Sequence, residues 1–507
     1  MADALVPFSQ CDLWDRERTF FHREGPRAWV NQVPFHATSN PYIAHVYATL
    51  AIRFVQDCLR NGIGRSDEPF YLVEVGAGSG TLAFHLVRRL GELQAALGLA
   101  PVSIVYVMTD LAEANLAFWQ RHPALQPYFA QGVLDCAGFD ALAEDTLTLR
   151  RSGVVLRPEG SANPLIGVAN YLFDSLPQDA FRLGGGRLQA GLTPPQVPVV
   201  GPEPYVPTFT YRAIDLPWYA GEPDCDAVLR HYAERPEERT LLLPIGGLRA
   251  IRRLTELGGG RLLLFATDKA HLQHPDLYRE AAPELTFHGG GFSLMVDFAA
   301  IAEYVRQQGG DCLHQPLFQG VTTSLFAAGL RLADLPETRQ AAADWLVSAG
   351  PGRLETLCLH LARTAAQATP ETFLAALELC RWDPQLWYAF ASLLPEWWRR
   401  APVALQRDLY SAAERVAANA YFIPGNPDIL AVIAGFFQVI GDFWQALEYY
   451  HRSRAGAGDA EATLFNQAVC HCQLQQTEAA VALFRAVLAA NPANAAAREW
   501  LAHLAPD

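Results

Sequence analysis

The chain has 507 residues, half of them hydrophobic and only 18% charged, with a net charge of −14. That length predicts about three domains with ample material for large cores. The acidic balance excludes wholesale binding to nucleic acid or to an anionic membrane, since both need basic faces, and no apolar run approaches the roughly 18 residues of a membrane-spanning helix. The nine cysteines are scattered without Cys-x-x-Cys pairs, and Cys470 and Cys472 fall in a helical pattern where packing is the expected use. The first residues lack the basic start and apolar core of a signal peptide. The expectation is a reducing cytoplasm, with no disulfide framework and no metal site.

In chain order, residues 1–68 read as an N-terminal helical cap, rich in aromatics (Phe20, Phe21, Trp29, Phe35, Tyr42). Residues 35–41 are turn-rich, and Thr38-Ser39 precede a helix over 42–61 as N-cap candidates. Residues 70–88 then organise the rest. Tyr71 to Val75 is a β-rich apolar run. Gly76-Ala77-Gly78-Ser79-Gly80 forms a tight turn, and Leu82, Leu86, Val87 and Leu90 recur at helical spacing. Strand, glycine turn and helix is the context that gives such a motif meaning. Glycines let a ligand approach the main chain closely, and the helix beyond presents free N–H groups. A dinucleotide site calls for Gly-x-Gly-x-x-Gly; here the glycines alternate, behind an acid, Glu74.

Further strands are predicted at 103–110, 164–170 and 260–268, a helix at 295–308, and weaker strands at 312–330. Strands separated by helices predict a parallel sheet covered on both faces, with ligands beyond the carboxyl ends of its strands. Glu74, Asp110, Asn170 and Asp268 stand at such ends. Asp110 suits both ribose hydroxyls as a charged acceptor, or equally a helix N-cap. Residues 183–245 carry Gly184-Gly185-Gly186 and many prolines, and read as an insertion forming a lid or substrate wall, with Val199, Tyr205, Phe209 and Tyr211 as edge-strand candidates. Residues 287–292 look like a second glycine hinge near the cleft.

Glu74-x-Gly76-x-Gly78-x-Gly80 resembles motif I of the Rossmann-like S-adenosylmethionine (SAM) methyltransferases. With Thr38-Ser39, Tyr106-Val-Met-Thr-Asp110, Asn170-Tyr-Leu-Phe-Asp174-Ser-Leu176-Pro177 and Phe292-Ser-Leu-Met-Val-Asp-Phe298, the chain resembles the MidA-like methyltransferases over about residues 35–330. The family's Asn-Glu-Leu-x-Asp-Ala-Leu-Pro block is matched at Asn170, Asp174, Leu176 and Pro177, with Tyr171 replacing the glutamate. The resemblance implies a class I methyltransferase domain over 69–334 and SAM as cofactor. It implies cofactor contacts from Thr38, Ser39, Glu74, Gly76, Ala77, Gly78, Gly80, Asp110, Leu111 and Asn170. It places Asn170 and Asp174 over the reacting methyl as the catalytic pair, with Asp174 orienting the acceptor. His36, His45 and His288 are further acid/base candidates, each with a structural reading beside it.

From 335 the chain turns helical and alanine-rich. At an offset of 34, Ala434 pairs with Ala468, Ala446 with Ala480 and Tyr450 with Phe484, resembling tetratricopeptide repeats over about 383–424, 426–458 and 459–492. Such solenoids present a groove to a peptide or protein; a supporting or homodimerising helical domain would look the same. Two functions stay open. One is a SAM-dependent methyltransferase acting on a protein side chain recruited partly by the repeats. The other is a methyltransferase-fold adaptor that binds SAM without turnover. The glycine spacing disfavours a third, an NAD-dependent oxidoreductase.

Overall fold

The computed structural model describes residues 5–30, 36–158, 160–184, 187–197, 207–234, 239–272, 285–288, 290–315 and 321–505. Phe35, Gly185, Gly186, Val199, Tyr205 and Gly289, and the prolines at 198, 202 and 204, lie outside them. The chain forms two compact units, Met1–Arg121 with Leu125–Leu354, and His122–Ala124 with Glu355–Asp507.

The first unit is built on a seven-stranded sheet: β1 Phe70–Val75, β2 Ile104–Asp110, β3 Leu134–Gly138, β4 Leu165–Asn170, β5 Leu262–Asp268, β6 Asp311–His314 and β7 Thr322–Ala328. Their spatial order is β6-β7-β5-β4-β1-β2-β3. The five strands from β5 to β3 run parallel. β7 is antiparallel to β5, and β6 to β7. All seven residues of β5 are buried, as expected of a strand covered on both faces. β7 begins Thr-Thr-Ser, a weak strand signal, yet it too is wholly buried. Two of its hydroxyls pair within the sheet: Thr267 Oγ1 donates to Thr323 Oγ1 at 2.9 Å, and His314 Nδ1 and Ser324 Oγ share a hydrogen bond at 2.9 Å.

The chain winds outward from β1 through β2 to β3, then crosses to the other side of β1 to start β4. The two loops leaving β1 and β4 therefore diverge from adjacent strands. That reversal opens a crevice at their carboxyl ends.

Three helices frame it: α1 Leu13–Glu24, α2 Pro41–Arg60 and α3 Thr81–Ala96. Asn40 caps α2, its side chain accepting from the Tyr42 and Ile43 N–H groups. Fifteen side chains of α2 are buried, and Tyr47 stacks on Phe265 of β5 with ring centroids 5.0 Å apart. The expected helix at 295–308 opens instead as the short strand Val296–Asp297; the helix is Phe298–Gln307, capped by Asp297 Oδ1 accepting from Ala300 N at 2.9 Å. The first unit also continues beyond 335. Asp57 of α2 accepts from the backbone N–H and the hydroxyl of Thr338, both at 2.8 Å, which ties the helix Pro336–Ala342 to α2.

Within 183–245 the chain makes a second, antiparallel sheet. Strand Arg187–Thr193 pairs with Asp179–Gly184 and with Thr210–Ala213, and Arg239–Leu243 adds beside Asp179–Gly184. Tyr211 is thus in a strand, whereas Phe209 precedes it. Phe181, Leu241 and Leu243 belong to the same apolar core as Val73 and Leu264, so this segment is packed into the domain.

The second unit is helical. Helix Ile429–Val439 is followed by Phe443–Ala457, and Glu461–Gln473 by Thr477–Ala490. Ala434, Ala446, Ala468 and Ala480 are all fully buried. Small side chains at these positions let paired helices approach closely.

Candidate functional site

The glycine turn after β1 is shaped by backbone angles that only glycine adopts readily. Gly76, Gly78 and Gly80 have φ of +72°, +55° and +80°. Ala77 N donates to Thr109 O at 2.8 Å and Gly80 N to Ala77 O at 2.8 Å. A Cβ on Gly78 would stand only 2.5 Å from the Trp29 ring, so a side chain there is barred by its neighbour as well as by its φ. Trp119 Nε1 donates to Gly78 O at 3.0 Å from the other side.

Asp110 fixes this turn. Its carboxylate accepts from Gly78 N at 3.0 Å and from Ala112 N at 2.8 Å. The helix after β2 begins only at Glu113, so Asp110 holds the turn and the loop before that helix without capping it. A carboxylate has about four acceptor positions, so capacity remains towards the adjoining cavity. Burial raises its pKa, against the hydrogen bonds from Ala112, Asn115 and Gly78.

That cavity, of about 130 Å³, lies in the crevice and is lined by Gly76, Asp110 and Leu111, by Phe139 to Leu142 after β3, by Tyr171, Leu172 and Ser175–Pro177 after β4, and by α1 and Trp29 as a roof. Arg18 of α1 reaches Asp140 on the rim at 2.7 Å. A smaller cleft adjoins it, lined by Asp174, Lys269, His288 and Gly291 to Ser293. Glu17, Phe21, Trp29, Tyr171 and Ser175 line both. They mark the junction where two bound groups would meet.

The loop after β4 is held in an unusual conformation. Tyr171 has φ +46°, a left-handed angle uncommon outside glycine, and its N–H donates to Thr267 O at 2.9 Å. Asp268 Oδ2 then accepts from the N–H groups of Phe173 and Asp174, at 3.0 and 3.2 Å, and Ser175 Oγ donates to Asp174 Oδ1 at 3.1 Å. Burial lifts the Asp174 pKa to about 6. Asp268, buried and facing Asp174, is pushed well above the ordinary carboxylate range. Opposite them, Lys269 Nζ, His288 Nε2 and Ser293 Oγ form a triangle with 3.1 Å sides. Burial and the Lys269 charge lower the His288 pKa, which leaves the imidazole neutral.

Glu17 is the acid at the junction itself. It is 2% exposed, and its Oε2 accepts from Phe292 N at 2.8 Å. Burial raises its pKa from 4.5 to about 8. The unfolded chain releases this proton near 4.5, so between there and about pH 8 the native state binds more protons. Stability is therefore greatest below that window and falls as pH rises through it, by about 1.4 kcal/mol per unit for such a group. Glu17→Gln is expected to remove this slope. Denaturant unfolding at about pH 5 and about pH 8 should show a wild-type loss larger than the variant's by a few kcal/mol; equal losses would mean that native Glu17 is already ionised.

Of the residues expected to touch a cofactor, Gly76, Asp110 and Leu111 line the larger cavity. Ala77, Gly78 and Gly80 shape the turn beneath it. Glu74 does not reach the cavity: it is 4% exposed and accepts from Tyr106 OH at 2.8 Å, and burial raises its pKa to about 7. Thr38 and Ser39 line neither space. Asn170, expected over the reacting centre, instead joins three elements, accepting from Tyr47 OH at 2.8 Å and donating to Thr38 O at 2.9 Å. Asp174 and His288 do line the smaller cleft. His45 is packed against Trp345 and accepts from Arg89 Nε at 2.9 Å, and His36 belongs to the turn before α2. Among the described residues, 183–245 supplies no lining side chain, so the wall comes from α1 and the loop after β4.

Sequence reasoning missed Glu17, Arg18, Asp140 and Lys269. An acid on the buried face of an amphipathic helix was the signal for Glu17. Lys269 directly follows an acid at a strand end. Asp140 follows β3, whose Leu-Asp-Cys-Ala-Gly has little strand character. Among the described residues no group of three or more His, Cys, Asp or Glu is arranged to hold a metal ion, and no helix is long and apolar enough to cross a membrane.

No protein-family model matches the chain, and no curated protein matches it significantly. Among solved structures it is similar to a COG1565 superfamily member from Burkholderia thailandensis, described as a candidate methyl transferase and bound to S-adenosyl-homocysteine. Identity is 16%, over 61% of this chain and 74% of that one, with a TM-score of 0.38. It is likewise similar to an uncharacterised COG1565 superfamily protein from the same organism, at 16% identity over 64% and 88% of the two chains and a TM-score of 0.38. Similarity at this level assigns no function to the present chain.

Proposed function

We propose that the chain is a SAM-dependent methyltransferase. The observation that carries this reading is the joining of two spaces at the strand switch point. One holds the glycine turn and Asp110; the other holds Asp174 and Lys269. The fit to SAM rests on the chain's own residues. Asp110 offers a charged acceptor suited to ribose hydroxyls, Phe139 and Leu142 offer apolar surface suited to a purine, and the glycine turn lets a ligand lie against the main chain. When bound, SAM supplies a methyl group on a sulfonium cation for in-line displacement by a nucleophile. The chain's part is alignment and charge. Phe21, Trp29 and Tyr171 exclude water from the junction. Glu17, whose buried carboxyl keeps its proton up to about pH 8, orients a nitrogen nucleophile, and Asp174 accepts the proton that the nucleophile gives up.

The acceptor, in this reading, is a protein side-chain nitrogen. Two carboxyls support this choice, Glu17 at the junction and Asp174 in the adjoining cleft. The paired helices of the second unit support recruitment through a tetratricopeptide-like surface, because the buried alanines recur at the spacing of that repeat. The adaptor reading is favoured by one observation: the Asn170 side chain is committed to Tyr47 and Thr38.

Calorimetric titration of the full chain with SAM, S-adenosylhomocysteine and NAD is expected to give heat with the first two and none with NAD; the reverse pattern would overturn the cofactor. Labelled SAM added to a lysate should then place methyl groups in the protein fraction. Binding without incorporation would make the adaptor the better account.

A further inference from the structure

We propose that Cys358 and Cys380, in the helical unit, form a reversible dithiol–disulfide pair. Their sulfurs stand 2.6 Å apart. Cys358 lies within the helix Pro351–Arg363, and Cys380 is the C-cap of Pro370–Leu379. The six residues 364–369 join the two helices, and two thiols that are 22 residues apart meet. The other close pair in sequence, Cys470 and Cys472, lies two apart on one helix and so points to different faces.

The two thiols differ in a way that sets the order of the chemistry. Cys358 is partly exposed, and Cys380 is 3% exposed. Burial keeps the Cys380 sulfur from bulk solvent, so Cys358 is the one a dissolved reagent can reach. A small disulfide such as oxidised glutathione therefore meets Cys358 first. The Cys358 thiolate attacks one glutathione sulfur, the glutathione S–S bond breaks, and one glutathione leaves as its thiolate. Cys380 then attacks the Cys358 sulfur, and the second glutathione leaves. Both protein thiols are oxidised, the small disulfide is reduced, and the two thiol protons pass to the departing glutathione thiolates. A dithiol reductant reverses the sequence by the same exchange. The product is a covalent tie across a helical hairpin, of the transient kind that thiols of a reducing compartment support.

The test uses the full chain, incubated with oxidised glutathione, with or without a later dithiol reductant. Remaining thiols are blocked with a maleimide, and the protein is digested with trypsin under non-reducing conditions. Cleavage after Arg353, Arg363 and Arg381 places the two cysteines on adjacent peptides, 354–363 and 364–381. The expected result is those peptides linked, lighter by two hydrogens than their sum, with the link lost on reduction. Two fewer maleimides should be carried than by the reduced chain. Cys380→Ser should leave Cys358 with a lasting glutathione adduct, and Cys358→Ser should leave Cys380 alkylated slowly and unlinked. Circular dichroism of both variants shows whether the helices persist. Full alkylation of both cysteines, a stable glutathione adduct on wild-type Cys358, or links to other cysteines would each overturn the pair.

Discussion

Asp110→Ala is expected to weaken binding of S-adenosylhomocysteine by roughly 1–3 kcal/mol, about 5- to 150-fold, in a chain that remains folded. Two losses add in one direction. The charged acceptor for a ligand hydroxyl disappears, and the N–H groups of Gly78 and Ala112 lose their shared partner. The second loss loosens the turn that the ligand is meant to lie against. Asp110→Asn, which keeps the shape and one carbonyl oxygen, should fall between wild type and alanine. Titration calorimetry reads the affinities, and thermal unfolding reads the turn. If Asp110→Ala lowers the melting temperature and leaves affinity unchanged, the residue only holds the turn, and the proposed ligand orientation fails.

Asp174→Asn is expected to lower kcat by about 10²- to 10⁴-fold, the usual reach of a positioned acid–base group. It should leave cofactor affinity intact, because Asp174 lines the smaller cleft and is absent from the larger. The pH profile gives a second readout. With its pKa lifted to about 6, Asp174 is ionised above that pH, so wild-type activity should fall as pH drops through 6. The variant's residual activity should lose that acid limb. Unchanged turnover would remove Asp174 from the chemistry and favour the adaptor. Weakened cofactor binding would instead show that the loop after β4 had been disturbed, since Asp174 N is also anchored to Asp268.

The sheet was legible wherever strands are apolar throughout. β1, β2, β4 and β5 follow from their Val, Leu, Ile and Phe runs, and the polar residues at the ends of β2, β4 and β5, Asp110, Asn170 and Asp268, pointed to the carboxyl edge where the crevice lies. The Thr-Thr-Ser start of β7 and the Asp-Cys-Ala stretch of β3 carry polar atoms whose partners include residues distant in sequence, Thr267 for Thr323 and the Arg151 and Ser152 N–H groups for Asp135, which no local pattern reveals. The same reason separates the two catalytic expectations. Asp174 lies on the short turn that enters the cleft. Asn170, four residues earlier at the strand end, meets Tyr47 from a helix more than a hundred positions away. A motif gives the identity and spacing of such residues, whereas the direction of each side chain depends on what packs against it. The roof was hidden for another reason: Glu17 and Arg18 look like ordinary helix charges until α1 is placed over the crevice.

The contact between Arg18 and Asp140 bears on timing. The arginine is 39% exposed, and pairs of that kind contribute on the order of 0–1 kcal/mol. Their pull fades beyond a Debye length of about 8 Å at physiological salt. It acts as a catch, felt only when helix and rim already touch. What holds the helix in place is the burial of Trp14 and Phe20, at 4% and 3% exposure, and apolar packing is little affected by moderate salt. The seat of this helix over the crevice therefore rests on hydrophobic burial, and it should hardly register changes in ionic strength.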